Sequence, residues 1–186
     1  MRLDIMVDIE TLGNKTDSTI FQIAAVAFDI ETGRHFQYFH HIANIAENEK
    51  MNVTGDTLKW WLNTDKELLT KLLNKGEESS EELLRMFWNW MTGLVLDHDV
   101  YFWGNGILFD NKMIQHQLEA LGLGYPIFFR NDRDVRTIVE LAAIKLGTSE
   151  KDLRKKYYDK TAAHDAANDV ANQIRLVSAC YKELTK

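Results

Sequence analysis

The sequence predicts a mixed α/β layer fold from three observations. Strand-like segments follow one another at the start of the chain, helical spacing takes over at about residue 57, and strands and helices alternate from there on. The first strand, LDIMVDIETLG (3–13), places Leu3, Ile5, Val7 and Ile9 on one side and Asp4, Met6, Asp8 and Glu10 on the other. Asp8 and Glu10 then stand side by side, about 6–7 Å apart. TIFQIAAVAFDIETG (19–33) is apolar and β-branched and closes at Gly33, and RHFQYFHHI (34–42) alternates as its hairpin partner. Thr57 to Asn74, with Leu58, Trp61, Leu62, Leu68, Leu69 and Leu72, has helical spacing, as does Ser80 to Leu94. NKGEESSEE between them is a solvated loop with an acidic helix start. DVYFWGN (99–105) returns to strand, FDNKMIQHQLEALG is a helix stopped by Gly122, and YPIFFRND is a short strand entered through the only proline. VRTIVELAAIKLG forms another helix, and the last begins near Thr161 and runs almost to the end. No repeat, low-complexity tract or linker interrupts the series, so residues 1–186 are expected to form one domain.

The charge balance excludes one class of partner. With 22 Lys and Arg against 28 Asp and Glu the net charge is −6, so the chain does not coat nucleic acid by bulk positive charge. The balance does not exclude an enzyme whose carboxylates hold divalent cations, because two such ions would restore four of those charges. The single Cys180 excludes an internal disulfide and fits a reducing compartment. No signal-like segment opens the chain and no apolar run is long enough for a membrane, so a cytoplasmic protein is expected.

Three motifs carry candidate chemistry. Asp8 and Glu10 alone are an ambiguous pair, because acids near a strand end are often simply exposed. Asp110 opens a helix directly after a strand, where Gly104, Asn105 and Gly106 let the backbone turn tightly, and its helix face continues through Ile114, Gln117 and Leu121. Taken alone it could be an acid favoured by the helix dipole. In KTAAHDAANDVANQI the buried stripe of Val170, Ile174, Val177, Tyr181 and Leu184 sets Asp169 at its edge. His164 precedes Asp169 by five residues, about 140° around a continuous helix. The two share a site only if His164 belongs to the loop or a frayed first turn.

Combined, the motifs resemble the exonuclease superfamily known by its acids as the DEDDh type: Asp8-Ile9-Glu10, then Phe109-Asp110, then His164 with four residues before Asp169. The order spans residue 3 to about residue 180. TLKWWL, WGNGILFDN and RDVRTI are similar to phage and prophage exonucleases of the exonuclease VIII group and to mycobacterial exoribonuclease relatives. Proofreading-type relatives carry a His-Asn pair where Asn105 and Gly106 stand here.

The resemblance implies a ribonuclease H-like fold, a five-stranded mixed β-sheet flanked by α-helices, and a 3′→5′ exonuclease releasing nucleoside 5′-monophosphates. Like charges so close raise one another's pKa unless a cation neutralises them. Two Mg²⁺ or Mn²⁺ ions about 3.5–4 Å apart fit such a cluster. By resemblance Asp8 bridges both ions, Glu10 and Asp169 bind the one beside the nucleophile, Asp110 reaches the other, and His164 is the general base. DNA is the expected substrate, with RNA 3′-end trimming as the alternative and a non-catalytic nucleic-acid binding module as a third reading. Several relatives are dimers, which makes a homodimer possible.

Lys151, Arg154, Lys155, Lys156 and Lys160, with Arg130, Arg133 and Arg136, form either a solvated face or a local funnel for phosphates. In the second case Tyr157 or Tyr158 can stack on a base. Arg136, Lys155, Lys156, Tyr157 and Asn105 are the candidate nucleic-acid contacts. Trp60 and Trp61 read as core, because adjacent aromatics on a helix cannot both face outward without a large apolar patch. No glycine-rich phosphate loop is present, and no nucleotide cofactor is expected.

Overall fold

A computed structural model describes residues 1–158 and 165–186. The strands are β1 (Arg2–Thr11), β2 (Ile20–Phe28), β3 (His35–Ile42), β4 (Asp99–Gly104) and β5 (Asp132–Asp134). The described helices are α1 (Gly55–Thr64), α2 (Lys66–Leu73), α3 (Ser80–Asp97), α4 (Asp110–Ala120), α5 (Val135–Leu146), α6 (Glu150–Tyr157) and α7 (Ala166–Thr185). The strands form one five-stranded sheet in the order β3-β2-β1-β4-β5. The β1–β2 and β2–β3 pairs are antiparallel, whereas β1–β4 and β4–β5 are parallel, so the sheet is mixed as expected. Helices lie on both of its faces, in the ribonuclease H-like arrangement.

β1 is the middle strand, and its alternation sorts the core into two layers. Leu3, Ile5, Val7 and Ile9 pack with Leu83, Phe87 and Met91 of α3 and Ile114 and Leu118 of α4. Met6 faces the other way, with Ala24, Val26 and Trp103, against Val139 of α5 and Val170, Ile174 and Val177 of α7. Each such side chain, fully withdrawn from water, contributes about 1.5–3 kcal/mol. Asp4 lies in this second layer at 1 % exposure. Its charge is met by both sides of the Arg2 guanidinium fork at 2.9 Å and by the Trp103 indole N–H at 2.8 Å.

Three elements differ from the sequence reading. The expected helix from Thr57 to Asn74 is two helices, broken at Asp65, whose carboxylate accepts from the Leu68 amide at 2.9 Å and caps α2. In YPIFFRND only Asp132 belongs to a strand, because pairing with β4 begins at Phe102↔Asp132 and runs on to Asp134. The aromatic stretch before it has no partner strand, and Phe128 and Phe129 stand exposed. EKDLRKKY, read as a basic segment, is helix α6, capped by the Ser149 hydroxyl on the Asp152 amide. The last helix is described from Ala166, with Asp165 as its cap, and its expected start at Thr161 lies outside the described residues. No helix among the described residues is long and apolar enough to cross a membrane.

Candidate active site

The site lies where two parallel strands part. β1 pairs with β4 only from Arg2↔Asp99 to Met6↔Trp103, yet it continues beside β2 as far as Thr11. From Val7 onward the edge of β1 facing β4 is therefore open, at the carboxyl ends of parallel strands where α/β sheets offer a crevice. Asp8 and Glu10 stand on this open half and share the face turned to α7. Asp169, in the first turn of α7, meets them there. Each of the three supplies a carboxylate oxygen, and these atoms all lie within 4.8 Å of one another.

Asp110, the first residue of α4, is 4 % exposed at the same opening. It is not among the three clustered oxygens. Burial pushes its carboxyl up to about 7, against the pull of the Ile9 and Asp110 backbone amides and of Arg136. Burial likewise raises Asp8 well above the usual carboxylate range, and the charges of Asp110, Glu10 and Asp169 raise it further. Glu10 is raised by burial and then by Asp169, Asp110 and Asp165. Asp8 and Glu10 keep a little surface in contact with solvent, but protein encloses them on the remaining sides. Neither has an ion-pair partner among the described residues. Carboxylate oxygens gathered this closely fit a hard divalent cation that takes oxygen ligands.

Amide side chains hold the cluster from behind. Gln173, one turn beyond Asp169 on α7, is 1 % exposed and donates to Asp8 Oδ1 at 2.8 Å. Asp165 caps α7 by accepting from the Ala167 amide at 3.2 Å, and the same oxygen accepts from Gln22 Nε2 at 3.1 Å. Burial pushes the Tyr158 hydroxyl up to about 12; Arg154 opposes the shift, and the charges of Asp169 and Asp8 add to it. The phenol thus lies within the field of the cluster. The sequence reading passed over Gln22, Gln173 and Asp165, although each left a signal. Gln22 is the only polar residue of β2, Gln173 interrupts the buried stripe of α7, and Asp165 stands directly before that helix.

The structure treats the remaining candidates unequally. His164 lies outside the described residues. Arg136 is exposed beside the loop between β4 and α4: at Gly106, where φ is +128°, an added Cβ would come 3.0 Å from its guanidinium. The Asn105 side-chain oxygen is buried there without a hydrogen-bond partner among the described residues. Lys155 and Lys156 are exposed on α6, and the Lys156 ammonium lies 5.1 Å from the centre of the partly buried Tyr157 ring. Trp61 is core, 1 % exposed, with its indole N–H on the Thr11 carbonyl at 3.0 Å. Trp60 departs from that reading, because it is 42 % exposed with its ring set edgewise to Trp61.

A mixed sheet of this order, with acids gathered where β1 and β4 part, defines a nuclease of the ribonuclease H-like exonuclease class. The family model described as the 3′-5′ exoribonuclease Rv2179c-like domain matches residues 3–181, and the chain belongs to that family of 3′→5′ exonucleases. It is 23 % identical to an exodeoxyribonuclease of Enterobacteria phage T4, over 94 % of this chain and 87 % of that protein. Among solved structures it is similar to cell-death related nuclease 4, with a TM-score of 0.67 and 18 % identity over 95 % of this chain. The chain spans 62 % of the length of that nuclease. It is also similar to the nuclease domain of 3′hExo, a DEDDh family member bound to rAMP, with a TM-score of 0.64 and 13 % identity over 97 % of this chain and 92 % of that domain.

Proposed function

We propose that the protein is a metal-dependent exonuclease that trims DNA from single-stranded 3′ ends, releases nucleoside 5′-monophosphates, and works as one domain over residues 1–186. The observation that carries this reading is the meeting of Asp8, Glu10 and Asp169 oxygens within 4.8 Å, all three on elements anchored in the core. With Asp110 they would hold two Mg²⁺ or Mn²⁺ ions. Bound there, such ions supply an activated water and steady the leaving oxygen of an in-line displacement at phosphorus. His164 takes the proton of the attacking water, a task suited to an imidazole with an ordinary pKa near 6.5. Arg136, at the rim beside Gly106, grips a phosphate, and Asn105, in the same loop, is the second candidate contact there. Lys155 and Lys156 guide the phosphates further out, and Tyr157 stacks on a base. The buried, unpaired Cys180 agrees with a reducing cytoplasm.

DNA is favoured by the phage exodeoxyribonuclease, which matches this chain over nearly its full length. The family description favours the second reading, trimming of RNA 3′ ends. Matched DNA and RNA oligomers, labelled at the 5′ end and incubated with Mn²⁺, decide between them. A ladder shortening from the 3′ end of DNA, absent from Asp8→Asn, is the expected result. Faster loss of RNA transfers the assignment to RNA. Shortening from the 5′ end, or full activity in Asp8→Asn, refutes both. Sedimentation of the same preparation measures the homodimer proposed from the relatives.

A further inference from the structure

β2 is apolar from end to end except at one position. Gln22, in IFQIAAVAF, is 0 % exposed. Burying an amide is unfavourable unless its hydrogen bonds to water are replaced. Here only the nitrogen is served: Nε2 donates to Asp165 Oδ1 at 3.1 Å and lies 2.9 Å from His40 Nε2, while Oε1 has no partner among the described residues. An ionised carboxylate can only accept, so the amide must turn its nitrogen toward Asp165, and His40 Nε2 is then the nitrogen without a proton. One side chain thus ties β2, β3 and the cap of α7 together, directly beside Glu10, its partner in the β1–β2 register.

Asp165 passes this constraint into the site. Its carboxylate caps the helix at Ala167, and its carbonyl accepts the Asp169 amide at 3.0 Å. We propose that Gln22 is a positioning residue for the carboxylate cluster: by holding Asp165 it sets where the first turn of α7, and Asp169 on it, meets Glu10. The proposal rests on reading Asp8, Glu10 and Asp169 as a metal-binding set. Gln173 makes the complementary tie, from α7 back to Asp8. Apolar packing holds the body of α7 on the sheet, and the two buried amides add directional ties at its first turns, where Asp169 stands.

Two variants of the full chain test this. Gln22→Met keeps length and volume but has no donor. The exchange Gln22→Glu with Asp165→Asn puts the acceptor on β2 and the donor on the cap. Mn²⁺ affinity by titration calorimetry, kcat and KM on a labelled oligonucleotide, and the unfolding temperature in EDTA are measured for each. Gln22→Met is expected to weaken Mn²⁺ binding about tenfold. It should also lower kcat at unchanged KM and leave unfolding in EDTA close to wild type, and the exchange variant should regain most of the Mn²⁺ affinity. Wild-type Mn²⁺ affinity and kcat in Gln22→Met overturn the proposal. So does a loss that follows a lowered unfolding temperature and is not regained on exchange. Asp8→Asn separates the two readings: if it leaves Mn²⁺ binding intact, the metal-binding set itself is wrong. If it abolishes binding while Gln22→Met changes nothing, only the role of Gln22 falls.

Discussion

At the residue scale, His164 and Asp169 share a motif but are assigned different work, so their variants must differ. His164→Asn should lower kcat by about 10²–10⁴. Mn²⁺ affinity and the unfolding temperature should stay at the wild-type level. Asp169→Asn, which replaces a carboxylate ligand by an amide, should weaken Mn²⁺ binding first. Equal losses of affinity would make His164 a ligand rather than a base. The raised acids give a second prediction. Asp8, Glu10 and Asp110 hold their protons to higher pH in the native state than in the unfolded chain, where carboxyls titrate near 4. The native state therefore binds more protons between about pH 4 and 7, and in chelator its stability falls as pH rises through that window. Unfolding in EDTA should occur ~5 °C or more lower at pH 8 than at pH 5. Mn²⁺ should remove most of the difference, since it replaces the protons. A temperature that rises with pH in EDTA would show that burial and neighbouring charge do not hold these acids protonated in the native state.

At the scale of elements, the link between β4 and α4 decides where Asp110 stands. Asn111 is buried, donates to the Phe102 carbonyl at 3.2 Å and to Asp132 Oδ1 at 2.7 Å, and so fastens the start of α4 to β4 and β5. Gly104 lies beneath it, and an added Cβ would come 2.2 Å from the Asn111 side-chain oxygen. Gly104→Ala should therefore displace the first turn of α4 and lower kcat at least tenfold, by the general sensitivity of catalysis to small misplacements. A wild-type rate in a folded Gly104→Ala protein would show that the position of Asp110 is not critical. Helix α6 makes a separate prediction. If Lys155 and Lys156 contact phosphates, replacing both by Ala should raise KM and flatten its logarithmic salt dependence by up to about two units. An unchanged slope returns them to a solvated face.

At the scale of the whole molecule, the extent to which the sequence disclosed the structure follows from what each pattern measures. The alternation along β1 was readable because a period of two needs no knowledge of the partner strands, and it placed Asp8 and Glu10 on one face correctly. YPIFFRND misled because strand propensity in Phe128 and Phe129 says nothing about whether an edge is available, and β4 offers one only from Phe102. α6 escaped notice since a helix with one buried residue, Leu153, has no apolar stripe to recognise. The break at Asp65 was hidden by continuous apolar spacing, which a cap divides without disturbing. In the site, acids were legible through their charge in apolar surroundings, whereas Gln22 and Gln173 matter through contacts 143 and 165 residues away in sequence. Since α7 and β4 both lean on β1, the chain should unfold in EDTA in one transition seen alike by far-UV and near-UV circular dichroism. Two separated transitions would contradict the single domain.

The central place of β1 also has a consequence in time. Its parallel neighbour is made only after residue 99, and Asp169 follows Glu10 by about 160 residues, an interval of roughly 8–30 s at ribosomal speed. Throughout that interval a nascent chain carries two of the clustered acids without the third. A chain assembled in this order has no complete acidic cluster until the C-terminal helix has been made and has docked, so the topology itself makes this cluster one of the last features to form.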